Sequence, residues 1–484
     1  MKIAFVCPIA SKFNPDMMIE PLSVGYLVSY LKSKSYKDFE LYFGAFTPEE
    51  EIAEKCSKAD IVGFTTASSM VTQGIRIADM IKKINPNVIT VIGGAHATAL
   101  PEKTLRECLP IDIVVRGEAE HTFHELIQAI ENGKDFFDIK GVTYRKNDKI
   151  VTNPARELIE DIDELPYPDR EFIQQRMFVK KNLKIGKKIA WMMATRGCPF
   201  ICNFCTSKVV WKISYRKRSP KNIVGEIKEL VDNYGVNHIN FADDTMTIDK
   251  QWTFDLCKEI RRANLGITWS CNSQTSVVTR DMLYAMRKAG CEQIWFGVES
   301  GNKKIRWAME KFITTESIIN AFEWAHEAGL KTRAYMIIGG PGESYDTIKE
   351  SEELMEKIKP TAISWTINTM LPGLKGYDEA VKKGLIEEDK IDWSGVGFRN
   401  IHSAVLPTEH LSKEDILSEW ERVSEKFKNY QFYDFHFRYM PEYLLYRFMT
   451  TNVKQYPLMT KKLLSHIKKI DIRKSLSKDA TSYA

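Results

Sequence analysis

Three cysteines within eight residues constrain this chain more than any other feature. Cys198, Cys202 and Cys205 have the spacing C-x3-C-x2-C. Thiolates are soft ligands that suit iron–sulfur clusters and zinc. A structural zinc site takes four ligands, often as two cysteine pairs, and a cubane cluster also normally takes four cysteines. Because the other six cysteines are scattered singly, the spacing favours a cluster with one open iron over a zinc knuckle.

Length and composition describe an ordinary globular protein of two or three domains. The 484 residues are 44% hydrophobic and 27% charged, and the net charge of +5 gives no argument for nucleic-acid binding. No apolar run reaches the ~18 residues that span a bilayer. The N-terminus enters a strand pattern at once, without a signal-peptide layout. We therefore expect a cytoplasmic protein whose clustered thiols are reduced and bind metal.

Strands and helices alternate through residues 1–135, which predicts an α/β domain with a parallel, doubly wound Rossmann-like sheet. The expected strands are 2–6, 39–43, 60–65, 88–92 and 112–115, and the expected helices are 22–31, 48–58, 72–84 and 121–131. Ligands of such sheets bind outside the carboxyl ends of the strands. The residues at those ends are Thr65, Thr66, Ser68, Ser69, Gly93, Gly94, His96, Arg116, Gly117 and Glu118. No G-x-G-x-x-G fingerprint is present, so a dinucleotide site is disfavoured.

Residues 136–187 are predicted to connect two domains. Residues 141–145 and 149–151 flank Asn147 and Asp148, a pattern that is typical of a hairpin. The prolines of the Leu-Pro-Tyr-Pro segment at 165–168 exclude regular helix and central strand. We therefore expect a hairpin followed by a linker.

Alternation resumes over residues 188–374, where six strands predict a partial (β/α)6 barrel. The expected strands are 189–194, 238–242, 268–272, 293–298, 331–338 and 362–369, and the helices are 222–233, 252–263, 280–289, 317–328 and 345–358. Such barrels carry function at the C-terminal ends of their strands. The residues found there are Asp243, Asp244, Asn272, Ser273, Gln274, Glu299, Gly339 and Gly340. Each alone fits a loop cap or surface charge equally well, but their shared position favours a binding site.

The last part, residues 375–484, is predicted to be a mostly helical C-terminal region. Residues 414–427 have an amphipathic pattern, and aromatic residues cluster at 430–437. The final stretch is basic through Lys461, Lys462, Lys468, Lys469, Arg473 and Lys474. Peripheral contact with an anionic membrane is one interpretation, but a solvated helix on the barrel is favoured.

The cysteine segment, with Phe204 before the third cysteine, resembles the C-x3-C-x-aromatic-C signature of the radical S-adenosylmethionine (SAM) enzymes. The resemblance implies a [4Fe–4S] cluster on the three cysteines, whose open iron chelates the amino and carboxylate groups of SAM. One electron from the cluster then cleaves SAM to a 5′-deoxyadenosyl radical. The family's Gly-Gly-Glu motif stands here as Ala-Asp-Asp at 242–244. The implied SAM contacts are Phe204 near adenine, Asp243 and Asp244 near the amine, Asn272, Ser273 and Gln274 near the ribose, and Glu299, Gly339 and Gly340 in the same cleft.

The first part is similar to the cobalamin-binding domain that precedes many radical SAM domains. The similarity rests on segments 21–27, 63–66, 93–98 and 116–120, and it implies that the ten strand-end residues of the first domain surround cobalamin. The D-x-H-x-x-G motif that supplies a lower histidine ligand is missing, because residues 8–20 contain no histidine. The similarity is therefore to the subgroup without a lower histidine. His96 is the remaining candidate, although a histidine so placed more often hydrogen-bonds the backbone.

Together these resemblances identify a cobalamin-dependent radical SAM enzyme over nearly the whole chain. The family contains carbon- and phosphorus-methylating enzymes and a branch resembling the anaerobic magnesium-protoporphyrin ester cyclase. Methyl transfer to an unactivated carbon is the expected function. Oxidation or ring closure, and a non-catalytic cobalamin- and cluster-binding protein, are the alternatives. The implied partners are a small-molecule, lipid or peptide substrate and an electron donor such as flavodoxin or ferredoxin.

Overall fold

The computed structural model describes residues 1–10, 18–147, 149–183, 187–387, 391, 393 and 405–428. These residues form two large sheets that are covered by helices, together with one short antiparallel pair of strands. The expected α/β class is therefore confirmed, with a doubly wound first sheet and a parallel second sheet.

The first sheet contains seven strands, two more than the parallel part predicted from the sequence. They are β1 Ile3–Cys7, β2 Phe39–Phe43, β3 Ile61–Thr65, β4 Ile89–Gly93, β5 Ile113–Val115, β6 Val142–Lys146 and β7 Lys149–Thr152. Their order is β2-β1-β3-β4-β5-β6-β7, with β1 to β5 parallel and the hairpin β6-β7 antiparallel. The hairpin that we expected in the connection therefore extends this sheet and covers the edge of β5.

Helices cover both faces of the first sheet. They are α1 Leu22–Ser33, α2 Glu49–Cys56, α3 Val71–Ile84, α4 Ala95–Ala99, α5 Pro101–Glu107 and α6 Ala119–Glu131, and α7 Gln175–Leu183 follows in the connection. Alternate residues of β1 enter two different cores, with Ile3 and Phe5 on one face and Ala4 and Val6 on the other. This division explains why β1 is apolar along its whole length, as strands buried on both faces are.

The second sheet has the six expected strands, each beside its predecessor. They are β8 Ile189–Met192, β11 His238–Phe241, β12 Thr268–Ser273, β13 Cys291–Glu299, β14 Lys331–Ile338 and β15 Ala362–Ile367, and β9 Thr195–Arg196 and β10 Arg216–Lys217 form the short pair. The order β15-β14-β13-β12-β11-β8, parallel throughout, is that of a partial barrel. The helices are α8 Ser207–Trp211, α9 Pro220–Tyr234, α10 Lys250–Ala263, α11 Arg280–Lys288, α12 Lys303–Ala308, α13 Thr315–Glu327 and α14 Tyr345–Ile358.

The described part of the C-terminal region contains two helices, α15 Tyr377–Lys382 and α16 Lys413–Lys426. The α16 helix packs against the barrel edge, where the Trp420 Nε1–H donates to the Trp365 carbonyl over 3.0 Å. The aromatic segment 430–437 and the basic residues of 461–474 lie outside the described residues. Among the helices that the structure describes, none has the length and apolar character needed to cross a bilayer.

A compact, buried ionic cluster joins the connection to the barrel. Glu226 of α9 accepts from Arg170 Nη2 and from Arg218 Nη1, each over 2.5 Å. Its carboxylate is fully buried, and both guanidiniums are nearly so. A buried carboxylate stays charged only when it is paired and hydrogen-bonded, so this cluster holds the connection to the barrel in one arrangement.

Candidate active site

The cluster loop, residues 197–215, is closed at its base by the antiparallel pair β9-β10. Gly197 enters the loop with φ of +88°, and a Cβ there would lie 2.6 Å from the Ser214 carbonyl oxygen. Only glycine tolerates this close approach in the left-handed region. The chain therefore reaches Cys198 through a tight, defined turn.

All nine cysteines are free thiols, and six of them belong to the three main hydrophobic cores. The remaining set is Cys198 and Cys205, which are half-buried, and Cys202, which is buried. Burial raises the pKa of the Cys205 thiol to about 11 and also raises the pKa of Cys202, so iron must displace their protons. In the described ranges, no three His, Cys, Asp or Glu side chains are placed to hold a single metal ion. Three soft donors with no fourth cysteine in their loop fit a [4Fe–4S] cluster with an open position.

Asn203 anchors the middle of the cluster loop to the C-terminal end of α12. Its backbone N–H donates to the Met309 carbonyl over 3.1 Å, and its Nδ2 donates to the Ala308 carbonyl over 2.8 Å. Phe204, the residue expected near adenine, is half-buried. The loop is therefore fixed both at its base and at its centre.

Asp243 and Asp244, both expected near the SAM amine, have different surroundings. The buried Asp243 carboxylate accepts from Ala194 N over 3.2 Å and from the backbone N–H and hydroxyl of Thr195. Burial raises the pKa of Asp243 to about 6. Asp244 is exposed and accepts from Ser207 Oγ over 2.5 Å. Asp243 thus supports the entrance to the cluster loop, and Asp244 is the carboxylate open to a ligand.

The three polar residues at the end of β12 bond largely to the neighbouring loops. Asn272 Nδ2 donates to the Asp243 carbonyl over 3.0 Å. The Ser273 and Thr247 hydroxyls lie 2.5 Å apart, and Gln274 Nε2 donates to the Ser276 hydroxyl over 2.8 Å. These bonds fix the strand end beside Asp243.

Glu299 ends β13 in the left-handed region and forms a buried ion pair that the sequence does not predict. Its φ is +68°, and its Oε1 accepts from Lys311 Nζ over 2.9 Å. The pair lies over Gly297, where a Cβ would be 2.3 Å from the Glu299 oxygen and 2.6 Å from the ammonium. A non-glycine residue in this conformation is uncommon and often marks a functional site. No spacing rule points to Lys311, because it follows a separate helix.

The loop after β14 is closed by its own carboxylate. Glu343 is fully buried, and its Oε2 accepts from the backbone N–H groups of Gly339 and Gly340. Its other oxygen, Oε1, has no hydrogen-bond partner among the described residues. Burial therefore raises the pKa of Glu343 to about 7. A Cβ at Gly340 would lie 2.9 Å from Ile305, so the loop backbone packs tightly here.

The buried Glu343 predicts a pH dependence of stability. Its pKa shift from 4.5 to about 7 means that the native state keeps a proton that the unfolded state releases between these pH values. Its contribution, about 3 kcal/mol, is therefore present below pH 4.5 and lost as pH rises through 7. The Glu343→Gln variant should lose less stability than the wild type between pH 5 and 7.5, as measured by urea unfolding midpoints. The exposed control Glu353→Gln should follow the wild type, and equal pH profiles for all three proteins would refute the prediction.

A cavity of about 390 Å³ opens at the carboxyl ends of the first sheet. Six of the ten residues predicted to surround cobalamin line it: Thr65, Thr66, Gly93, Gly94, Gly117 and Glu118. The cluster side contributes four lining residues that the sequence does not predict: Met193, Arg196, Val210 and Trp211. The volume is that of a small-molecule site, and its walls come from both domains.

The other four predicted residues do not line this cavity. His96 Nδ1 lies 3.1 Å from Ser68 Oγ, and its ring centroid lies 5.1 Å from that of Trp393. Burial lowers the pKa of His96 to about 4, so its imidazole is neutral. Arg116 donates to the carbonyls of Val142 and Asn153 on the hairpin side, and Ser69 is likewise absent from the wall.

The cavity floor fits a group that needs close approach to the backbone. Gly94 has φ of +107°, and a Cβ there would lie 2.2 Å from the Thr66 carbonyl oxygen. At Gly93 a Cβ would meet only the Val115 carbonyl, at 3.4 Å. The two consecutive glycines at the end of β4 leave the main chain there without side chains, which suits a flat ligand such as a corrin ring.

Sequence comparisons bear on the same two regions. The profile of the Radical SAM superfamily matches residues 192–355, and that of the B12 binding domain matches residues 14–127. The chain is 32% identical to an uncharacterized methyltransferase of Pyrococcus horikoshii over 76% of this chain and 79% of the relative. It is 31% identical to the anaerobic magnesium-protoporphyrin IX monomethyl ester cyclase of Rubrivivax gelatinosus, but it spans only 64% of that protein.

Two solved structures share the fold. The radical SAM methyltransferase TsrM from Kitasatospora setae superposes with a TM-score of 0.68 over 79% of this chain and 76% of TsrM, at 17% identity. The cobalamin-dependent radical enzyme OxsB superposes with a TM-score of 0.65 over 89% of this chain and 61% of OxsB, at 19% identity. The two profile matches and the identity with the Pyrococcus protein together decide the family, and these structures agree on the fold. The chain therefore belongs to the cobalamin-dependent radical SAM enzymes and uses a [4Fe–4S] cluster, SAM and cobalamin.

Proposed function

We propose that this enzyme methylates an unactivated carbon of a small-molecule substrate. The observation that best supports this proposal is the shared cavity, because Arg196 of β9 and Trp211 of the cluster loop form a wall of the pocket at the cobalamin strand ends. Cobalamin bound at these strand ends then faces the cluster side, and a substrate held between the two reactive centres is kept away from water, as radical chemistry requires. The name of the Pyrococcus relative as a methyltransferase supports the same proposal.

The proposed reaction consumes two SAM molecules and two electrons for each methyl group transferred. A substrate C–H becomes C–CH3, one SAM leaves as S-adenosylhomocysteine, and the other leaves as methionine and 5′-deoxyadenosine, which carries the removed hydrogen. When bound, the cluster supplies the electron that cleaves SAM and cobalamin supplies the methyl carrier. The electrons require a low-potential donor, for which flavodoxin or ferredoxin is our proposal. Lipid and peptide substrates remain further candidates.

The chain's own residues contribute binding and orientation to this reaction. We assign Cys198, Cys202 and Cys205 to the cluster, and Asp244 to the SAM ammonium because its carboxylate is exposed beside the loop. The SAM cleft is completed by Phe204, Ser273, Gln274, the Glu299–Lys311 pair, Gly339 and Gly340. The assigned domains are 1–135 for cobalamin, 136–187 for the connection, 188–374 for the cluster and SAM, and 375–484 for the C-terminal region.

We propose that cobalt has no lower histidine ligand. His96, the one candidate from sequence, is buried and neutral, and it lies against Ser68 and Trp393 rather than on the cavity wall. The cobalamin contacts are then Thr65, Thr66, Gly93, Gly94 and Gly117, whose backbone and small side chains border the cavity.

Product analysis tests the proposed function. Without substrate, the anaerobic enzyme with hydroxocobalamin, titanium(III) citrate and methyl-deuterated SAM should release about one S-adenosylhomocysteine per cobalamin, with the label recovered on cobalamin. With a methyl acceptor, S-adenosylhomocysteine and 5′-deoxyadenosine should accumulate in about equal amounts. Formation of 5′-deoxyadenosine without S-adenosylhomocysteine would contradict methylation and favour the oxidative, cyclase-like alternative. If neither S-adenosylhomocysteine nor 5′-deoxyadenosine forms, the protein binds the cofactors without catalysing a reaction.

A further inference from the structure

A buried set of four charged residues joins the first domain to the base of the cluster loop. Arg196 donates through Nη1 to Glu118 Oε1 over 2.8 Å and through Nη2 to Glu120 Oε1 over 2.7 Å. Arg216, its partner in the β9-β10 pair, donates through Nη1 to Glu118 Oε2 over 2.8 Å. We refer to Glu118, Glu120, Arg196 and Arg216 as the interdomain clamp.

The clamp is balanced in charge and almost closed to solvent. Arg196 is 4% exposed, Glu118 7% and Glu120 6%. Burial and the Arg196 guanidinium act in opposite directions on the pKa of Glu120, and the net result lies below its usual value, so the carboxylate is ionised. Removing one member of such a set leaves an unpaired buried charge, which is strongly unfavourable. Conformations in which Arg196 is separated from the carboxylates of Glu118 and Glu120 are therefore strongly disfavoured.

The Arg196 side chain also forms part of the wall of the cobalamin cavity. Glu118, Glu120 and Arg196 all line the cavity. The Arg196 Cζ lies 5.1 Å from the ring centroid of Tyr26 in α1 and 5.4 Å from that of Trp211 in α8, and both rings also line it. Two residues further along the chain is Cys198. Arg196 thus belongs at once to the cavity wall and to the entrance of the cluster loop.

We propose that Arg196 is a positioning residue that couples the two cofactors. Held by Glu118 and Glu120, it sets the distance from the cluster loop to the cavity and makes the affinity for cobalamin depend on the presence of the cluster. By linkage, the cluster is then held more firmly when cobalamin is bound. The proposal needs both cofactors but not methyl transfer, so its tests succeed or fail independently of the proposed function.

The first test is an anaerobic titration with hydroxocobalamin, before and after removal of the cluster by chelation. The wild type should bind cobalamin at least about fivefold more tightly when the cluster is present. Glu120→Gln and Arg196→Met should lose most of this difference. Glu352→Gln is the matched control, because Glu352 is as buried as Glu120 and pairs with Arg422 and Lys426, and none of these three residues lines the cavity. It should keep the difference even if it lowers stability.

The second test is paramagnetic resonance of the reduced cluster beside cob(II)alamin. Relaxation of the cluster spin by cobalt depends on their separation, so it should change in Glu120→Gln and Arg196→Met and stay unchanged in Glu352→Gln. Arg196→Lys keeps the charge without the two-pronged geometry, and it should recover only part of the wild-type signal. If the Arg196→Met variant loses its cluster, the Arg196→Lys variant is used for the comparison in its place. A wild type without cluster-dependent affinity, or clamp variants that carry both cofactors with wild-type affinity difference and relaxation, would overturn the proposal.

Discussion

Replacing Cys198, Cys202 and Cys205 by alanine should abolish the visible absorption and the spin signal of the reconstituted cluster. No other cysteine can substitute, because the remaining six are packed in hydrophobic cores. Formation of 5′-deoxyadenosine should fall to the background level, since SAM cleavage needs the electron that the cluster supplies. Iron and sulfide analysis after anaerobic reconstitution gives a direct count of the cluster.

The matched control for this experiment is Cys257→Ala, which removes a buried thiol of the barrel core. It should retain the full cluster content, with at most a modest loss of stability from the small cavity. Cobalamin binding should persist in the triple variant, although more weakly if the clamp couples the cofactors. An intact cluster spectrum in the triple variant would contradict the assignment of the three thiols.

The regular elements of the barrel were predictable because local signals mark their ends. β14 and α14 have the bounds that the sequence predicts, Lys331–Ile338 and Tyr345–Ile358. Gly329, with φ of +74°, lies between α13 and β14, and Ser344 caps α14 through a capping box. Such punctuation acts within a few residues, so it can be recognised without knowledge of the fold.

The short helices α4 and α5 were not predictable by the same means. The α4 helix has five residues and α5 has seven. Helices this short do not contain enough residues to show the repeating apolar pattern by which a helix is recognised in a sequence. They sit between β4 and β5, where the sequence pattern indicates only a loop with Gly93, Gly94 and His96. The preceding Gly94 and the proline at the first position of α5 set their starts, but neither signal distinguishes a helix from a turn.

The positions of the site residues could be predicted from the sequence, but the residues with which they pair could not. The positions at strand ends follow from topology, so Thr65, Gly93 and Gly117 reach the cavity as expected. Glu118 also lines it, yet its carboxylate binds arginines 78 and 98 residues further along the chain. A charged residue in a loop between a strand and a helix is normally interpreted as solvated. Partners so distant in sequence become visible only when the two domains pack together.

Glu226→Ala should cause a large loss of stability. Glu226 is fully buried and pairs with Arg170 and Arg218, each over 2.5 Å. Truncation leaves two guanidiniums buried without their shared carboxylate, which typically costs about 3–5 kcal/mol. The cost falls on the joint between the connection and the barrel, because Arg170 belongs to the connection and also donates to the Trp191 carbonyl over 3.0 Å.

The comparison that isolates this effect is Glu51→Ala, which breaks an exposed pair with Lys55 at 2.7 Å on one face of α2. Such a pair contributes only about 0.3–0.5 kcal/mol, so its urea midpoint should barely move, whereas that of Glu226→Ala should fall steeply. Both variants must be compared at equal cofactor loading, since bound ligands shift apparent stability. Equal midpoints for the two variants would mean that water enters the Glu226 site and solvates both guanidiniums. Glu226→Ala combined with Arg218→Met separates these cases: if the loss comes from uncompensated charge, removing one guanidinium should restore part of the stability.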